Sequence, residues 1–111
     1  MWGTIVSGDF TAVLASASSI YAVNLSNTIF EINGTALNTL FNFPQPVVEL
    51  NTSETKLLVT TNSKVYQYGP GFNLIDTYSL PTELDTFFTC ALITGADVYI
   101  GTKNYGIIRP D

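Results

Sequence analysis

Histidine is absent from this 111-residue chain, and cysteine, methionine and tryptophan occur once each. Without histidine there is no Ser-His-Asp or Cys-His arrangement, and most zinc sites lose their commonest nitrogen ligand. The single Cys90 rules out an internal disulfide; in an apolar strand it is expected to be a small buried core residue. Basic residues are nearly as scarce. Lys56, Lys64, Lys103 and Arg109 are the whole set, and the net charge is −5. Four scattered bases cannot build the cationic track that a phosphate backbone needs, so nucleic acid is excluded as a partner. An anionic membrane surface is disfavoured for the same reason. No apolar run approaches the roughly 18 residues of a membrane helix, and no basic segment precedes an apolar one as in a secretory signal. The chain reads as soluble, and its composition does not name a compartment.

What is present is apolar and patterned. Apolar residues make up 46 %, aromatic 13 % and charged only 12 %, with Ser, Thr and Asn filling much of the remainder. That is the composition of a folded domain with a modest core, not of a disordered segment. So high an apolar share in so short a chain suggests burial between subunits.

The pattern repeats. Residues 56–81, KLLVTTNSKVYQYGPGFNLIDTYSLP, read as a strand, a polar turn, a strand, a Gly-Pro-Gly turn, a strand and a closing proline. The same phrase occurs at residues 19–44 and begins again at residues 97–111. Aligned on Ile20, Leu57 and Val98, the copies start 37 and then 41 residues apart. Strands are expected at 12–14, 20–23, 29–32 and 37–43; at 47–50, 57–60, 65–68 and 74–80; and at 87–93, 98–101 and 107–109. Another short strand is expected at 1–6. Asn33-Gly34 is a hairpin signal, while Pro44 and Pro81 cannot donate to a ladder and close their strands. No segment keeps a helical period for a useful length, so the expected fold is all-β.

Four-stranded repeats of about 40 residues are the signature of β-propeller blades. With strands labelled a to d from the centre outward, the chain reads d, abcd, abcd, abc. This is one all-β domain over residues 1–111, with an outer strand at 1–6 and blades at about 10–44, 46–81 and 86–111. Val98-Tyr99-Ile100-Gly101-Thr102, followed by Gly106-Ile107-Ile108-Arg109, resembles a blade of the regulator-type propeller repeats. The resemblance implies that architecture and brings no catalytic residue or cofactor with it. Propellers have four to eight blades as a rule, so three cannot close a ring. Two chains supply six, with the N-terminal strand of each completing the last blade of the other and covering an open edge. The expected assembly is a head-to-tail homodimer forming one six-bladed propeller. The alternative architecture is a monomeric β-sandwich of about ten strands.

Few motifs carry chemistry. Gly101 to Gly106 has the glycine spacing of a phosphate loop, but Ile107 and Ile108 stand where Lys and Ser/Thr are needed, so it reads as a hairpin turn. Glu83 and Asp85 form a carboxylate pair in a loop without the pattern of a calcium site, and read as solvated. Three N-glycosylation triplets begin at Asn24, Asn33 and Asn51, and turn chemistry accounts for the first two. The strand tyrosines and phenylalanines read as packing residues.

In such a blade the d–a and b–c loops share one face. That face places Asp9, Asn24, Asn27, Asn62, Glu83, Asp85, Lys103 and Asn104 as candidate ligand-binding residues, with Gln45 and Thr61 to Ser63 beside them. Nearly all are neutral or acidic, suited to hydrogen bonding a carbohydrate or a protein partner. No catalytic, metal-binding or cofactor-binding residue is expected. The functional expectation is a non-enzymatic binding or structural module acting as a closed oligomer, of the kind found in a virion or on a cell surface. The alternative is a glycosidase-type enzyme using Asp9, Glu83 and Asp85. Against it, the loops lack the arginines and histidines that orient such substrates.

Overall fold

A computed structural model describes residues 8–15, 20–53 and 56–110. They form three antiparallel sheets, with no α-helix among the described residues. The first sheet takes β1 (Phe10–Ala15), β2 (Ile20–Asn24), β3 (Thr28–Asn33) and β4 (Ala36–Asn42) in that spatial order. The second takes β5 (Val47–Ser53), β6 (Lys56–Thr61), β7 (Lys64–Tyr68) and β8 (Leu74–Ser79) in the same way. The third holds β9 (Phe88–Thr94), β10 (Asp97–Thr102) and the short β11 (Ile107–Ile108), with β10 in the middle. The all-β expectation holds; the strand expected at residues 1–6 lies outside the described residues. The chain divides into two compact units, one ending at Pro44 and one beginning at Gln45. The first sheet belongs to the former, the other two to the latter.

Turn chemistry sets the hairpins. The β3–β4 loop is Gly34-Thr35, closed by the pair Asn33 and Ala36, and Gly34 takes a positive φ of 61°. The β9–β10 loop, Gly95-Ala96, is built alike, with Gly95 at 62°. Glycine at the first loop position is what this kind of two-residue hairpin demands. The hairpin that Asn33-Gly34 signals is therefore present, with its loop one residue further on.

The three sheets repeat in register as well as in sequence. Ile20 pairs with Ala15, Leu57 with Thr52 and Val98 with Ile93, the same offset each time. One residue after the first pair of each leading strand the ladder bulges, at Thr11, Val48 and Thr89. Those bulges are 37 and 41 residues apart, the spacing of the sequence copies. A bulge bends its strand, adds local twist and re-aims the residues beyond it. In β9 its effect is visible in burial: Phe88 and Ala91 are three apart, yet both are buried with Ile93 on one face. Without Thr89 as the extra residue they would point to opposite faces.

In the second unit, that face of the third sheet packs on the second sheet. Leu58 and Val65 meet Phe88, Ala91, Ile93, Val98 and Ile100, with Tyr78, Leu80 and Ile108 at the margin. Each of these larger apolar side chains, once fully buried, contributes about 1.5–3 kcal/mol. The sheets come closest along β5 and β9, the leading strand of each. There two polar side chains of β5 clamp one residue of β9, Ala91, on both its backbone groups. The Ala91 N–H donates to Glu49 Oε1 at 3.0 Å, and Asn51 Nδ2 donates to the Ala91 carbonyl at 2.8 Å. On the outer pair of the second sheet, the Tyr78 hydroxyl donates to the buried Gln67 Oε1 at 3.1 Å. Burial first, and then the Asp76 carboxylate, raise the Tyr78 pKa above its usual 10.0. Burial and the neighbouring Tyr66 do the same to Tyr68.

Cys90 corrects an expectation. It is exposed, not buried, because the bulge turns it away from the face covered by the second sheet. It shares the other face with Leu92, Tyr99 and Ile107, and Leu92 and Ile107 are exposed as well.

Candidate functional site

The turns between the second and third strands of each sheet begin with a side-chain oxygen at one repeat position. Asn24 Oδ1 accepts from the Ser26 and Thr28 N–H groups at 3.0 and 3.1 Å. Thr61 Oγ1 accepts from Lys64 N at 3.1 Å, and Thr102 Oγ1 accepts from Tyr105 N at 2.9 Å. Asn and Thr do this because their short side chains reach the backbone a few residues on and stand in for a turn hydrogen bond. The same end of each sheet receives the chain entering its leading strand. Leu25 N donates to Asp9 O at 3.0 Å in the first sheet, and Lys103 N to Phe87 O at 3.0 Å in the third.

In the first unit the structure brings together three of the residues that the sequence singles out. Asp9 holds the turn through its carbonyl, and Asn24 organises it. Asn27 supplies a left-handed residue at φ 62°, which asparagine tolerates better than most side chains. The Asn27 carbonyl also accepts from Phe43 N at 3.0 Å and ties down the end of β4. A groove beside this turn is lined by Asp9, Phe10, Ser26, Phe30 and Leu37, the two phenyl rings packing edge to face at 6.1 Å.

In the second unit the remaining five gather around one loop. Residues 80–88 are fastened at both ends to the β6–β7 turn: Leu80 N donates to Ser63 O and Phe88 N to Asn62 O, both at 2.8 Å. The β10–β11 turn docks on the same loop, since Asn104 N donates to Thr86 Oγ1 at 3.2 Å and Lys103 N to Phe87 O. Leu84 N closes a tight turn onto Pro81 O, and Glu83 and Asp85 are exposed on it. Asn62, Glu83, Asp85, Lys103 and Asn104 therefore lie on one cluster of turns. No protein-family model and no curated protein matches this chain. What the cluster can do must be argued from its own groups.

Those groups are sparse and solvated. Among the described residues no three His, Cys, Asp or Glu side chains come together as they would around a metal ion. No described helix is long and apolar enough to cross a membrane. Thr61, buried to 1 % exposure, sets its hydroxyl 3.0 Å from Gln45 Oε1, which also accepts from Ser63 Oγ at 2.8 Å. This network fixes the β6–β7 turn and leaves the carboxylates of Glu83 and Asp85 to solvent.

Sequence reasoning missed three residues that matter at the sheet ends and edges. Thr86, buried, anchors the Asn104 turn. Glu49 and Asn51 clamp Ala91. A signal for the clamp existed. Aligned on the repeat, the positions of Glu49 and Asn51 hold Ala12 and Leu14 in one copy and Cys90 and Leu92 in the other. A polar pair in only one of three copies marks a local job.

Proposed function

We propose that the three sheets are blades of a β-propeller-type assembly completed by a second copy of the chain, and that it works as a non-enzymatic binding or structural module. The observation that carries this reading is the threefold recurrence of one register and one bulge, joined to the close approach of leading strands β5 and β9. Sheets that meet along their leading strands, with the outer strands further apart, are arranged as neighbouring blades are. A sandwich would instead lay whole sheet faces on one another. The cluster of turns carrying Asn62, Glu83, Asp85, Lys103 and Asn104 is the end that meets a ligand. Its amides and carboxylates suit the hydroxyl groups of a carbohydrate or the polar rim of a protein partner, in keeping with a virion or cell-surface component.

The test has two arms. Light scattering should give twice the chain mass of 12.1 kDa. A glycan array, read beside the double variant Glu83→Ala, Asp85→Ala, should show binding that the substitutions weaken. A single-chain mass would overturn the assembly, and turnover of a glycoside lost in the same double variant would replace binding with catalysis.

A further inference from the structure

The internal packing of the second unit is a template for a face whose side chains stand exposed on the third sheet. On the second sheet, Glu49, Asn51, Leu58 and Val65 share one face through cross-strand pairing, and that face covers the third sheet. Their repeat equivalents on the third sheet are Cys90, Leu92, Tyr99 and Ile107, which likewise share one face. Val65 is 0 % exposed, whereas Ile107 is 76 % exposed. The covered side of the template shows the converse. Ala91 and Val98 are 3 % and 5 % exposed beneath the second sheet. Their equivalents on the first sheet, Val13 and Ile20, are 69 % and 43 % exposed. The third sheet thus carries a face of the covering kind and the first sheet one of the covered kind, each with exposed apolar side chains.

We propose that these two faces meet between copies: the Cys90, Leu92, Tyr99 and Ile107 face of one chain packs on the Phe10, Val13 and Ile20 face of a second. The occupant is another copy of this chain because each face has its complement, already tested in the fold by the second sheet against the third. This inference rests on the blade reading above and names its seam. Such a contact is heterologous, the patches differing on the two sides, and it closes into a ring when the rotation per copy allows. The seam also differs from its template in kind. Where Glu49 and Asn51 clamp Ala91, the new seam sets Cys90 and Leu92 beside Val13, so apolar packing takes the place of those hydrogen bonds, with the chain's own Glu49 and Asn51 lining the hollow at its margin.

The native thiol makes the seam readable. In the template Glu49 reaches the peptide of Ala91, so Cys90 of one copy should lie beside position 13 of the next. The variant Val13→Cys, in the full chain and treated with a short bis-maleimide, should give a covalent dimer whose linked peptides join position 13 to Cys90. The wild type, and Val13→Cys combined with Cys90→Ser, should give none. Ile107→Glu, at a position exposed within the chain, should lower the mass to that of one chain with an unchanged far-UV spectrum. If the wild type scatters as a multimer but positions 13 and 90 do not join, the seam is wrong and the assembly stands. If the wild type runs at the mass of one chain, or the link forms within one chain, both readings fall.

Discussion

Replacing Glu49 tests whether a clamp on the backbone of one residue holds two sheets together. Ala91 lies at 3 % exposure on β9, the edge of the third sheet, and its N–H and carbonyl point out of that sheet towards β5. Glu49→Ala removes the acceptor and leaves the buried N–H without a partner. A hydrogen bond to a charged group contributes about 1.5–3 kcal/mol, and an unsatisfied buried donor costs about 1–3 kcal/mol. A loss of about 2 kcal/mol is expected, or a fall in Tm of roughly 8 °C for a domain of this size. Glu49→Gln keeps an acceptor in place and should cost about half as much. Asn51→Asp should cost more than Asn51→Ala, because it aims a carboxylate at the Ala91 carbonyl where a donor stood. Urea unfolding followed by tyrosine fluorescence, at one fixed protein concentration, measures all four. Equal costs for Glu49→Ala and Glu49→Gln, or a cost below about 0.5 kcal/mol for both, would mean that water satisfies Ala91 and the clamp holds nothing.

Two further outcomes follow from the packing. A Cβ built on Gly101 would lie 2.5 Å from Cys90 Sγ and 3.1 Å from Thr89 Oγ1. Gly101→Ala should therefore cost about 1–3 kcal/mol, and most of that should vanish when Cys90→Ala is added, as a double-mutant cycle would show. Tyr68 and Tyr78 hold their protons more tightly folded than unfolded, their pKa values standing above 10.0. Their contribution is whole below pH 10 and is lost as pH rises through the folded values, so stability should fall steadily above pH 10. Tyr78→Phe should flatten that fall, and absorbance at 295 nm against circular dichroism reports it.

Strand order and turns were legible because they are local. Period-two alternation, glycines that accept positive φ, and prolines that end ladders all act within a few residues. The repeat was legible too, down to the 37- and 41-residue spacing that the bulges reproduce. What a strand face meets is not local. Cys90 and Ala91 are both small and apolar, and nothing nearby says that a bulge at Thr89 buries the second and exposes the first. The candidate site was read at the level of loops: the five residues of the second unit do gather on one cluster of turns. Asn24 reads in the sequence both as a turn residue and as a candidate for a ligand, and its side-chain oxygen serves its own turn. A residue that stabilises a turn and one that binds a sugar have the same composition, and only the hydrogen-bond partner separates them.

The strictly sequential pairing of strands bears on how the chain is made. Among the described residues every strand of the three sheets pairs with its neighbours along the chain, so each meander closes through short loops of small entropy cost. Pairings this local are expected to form before the contacts between sheets. The docking of β5 on β9 is different, joining Glu49 to Ala91 across 42 residues. It is expected to form late, so substitutions at Glu49 and Ala91 should speed unfolding more than they slow folding in a chevron analysis. Without it, Leu58, Val65 and Phe88 lack the cover they have in the folded chain. A newly synthesised chain is open to wrong partners for as long as that cover is missing.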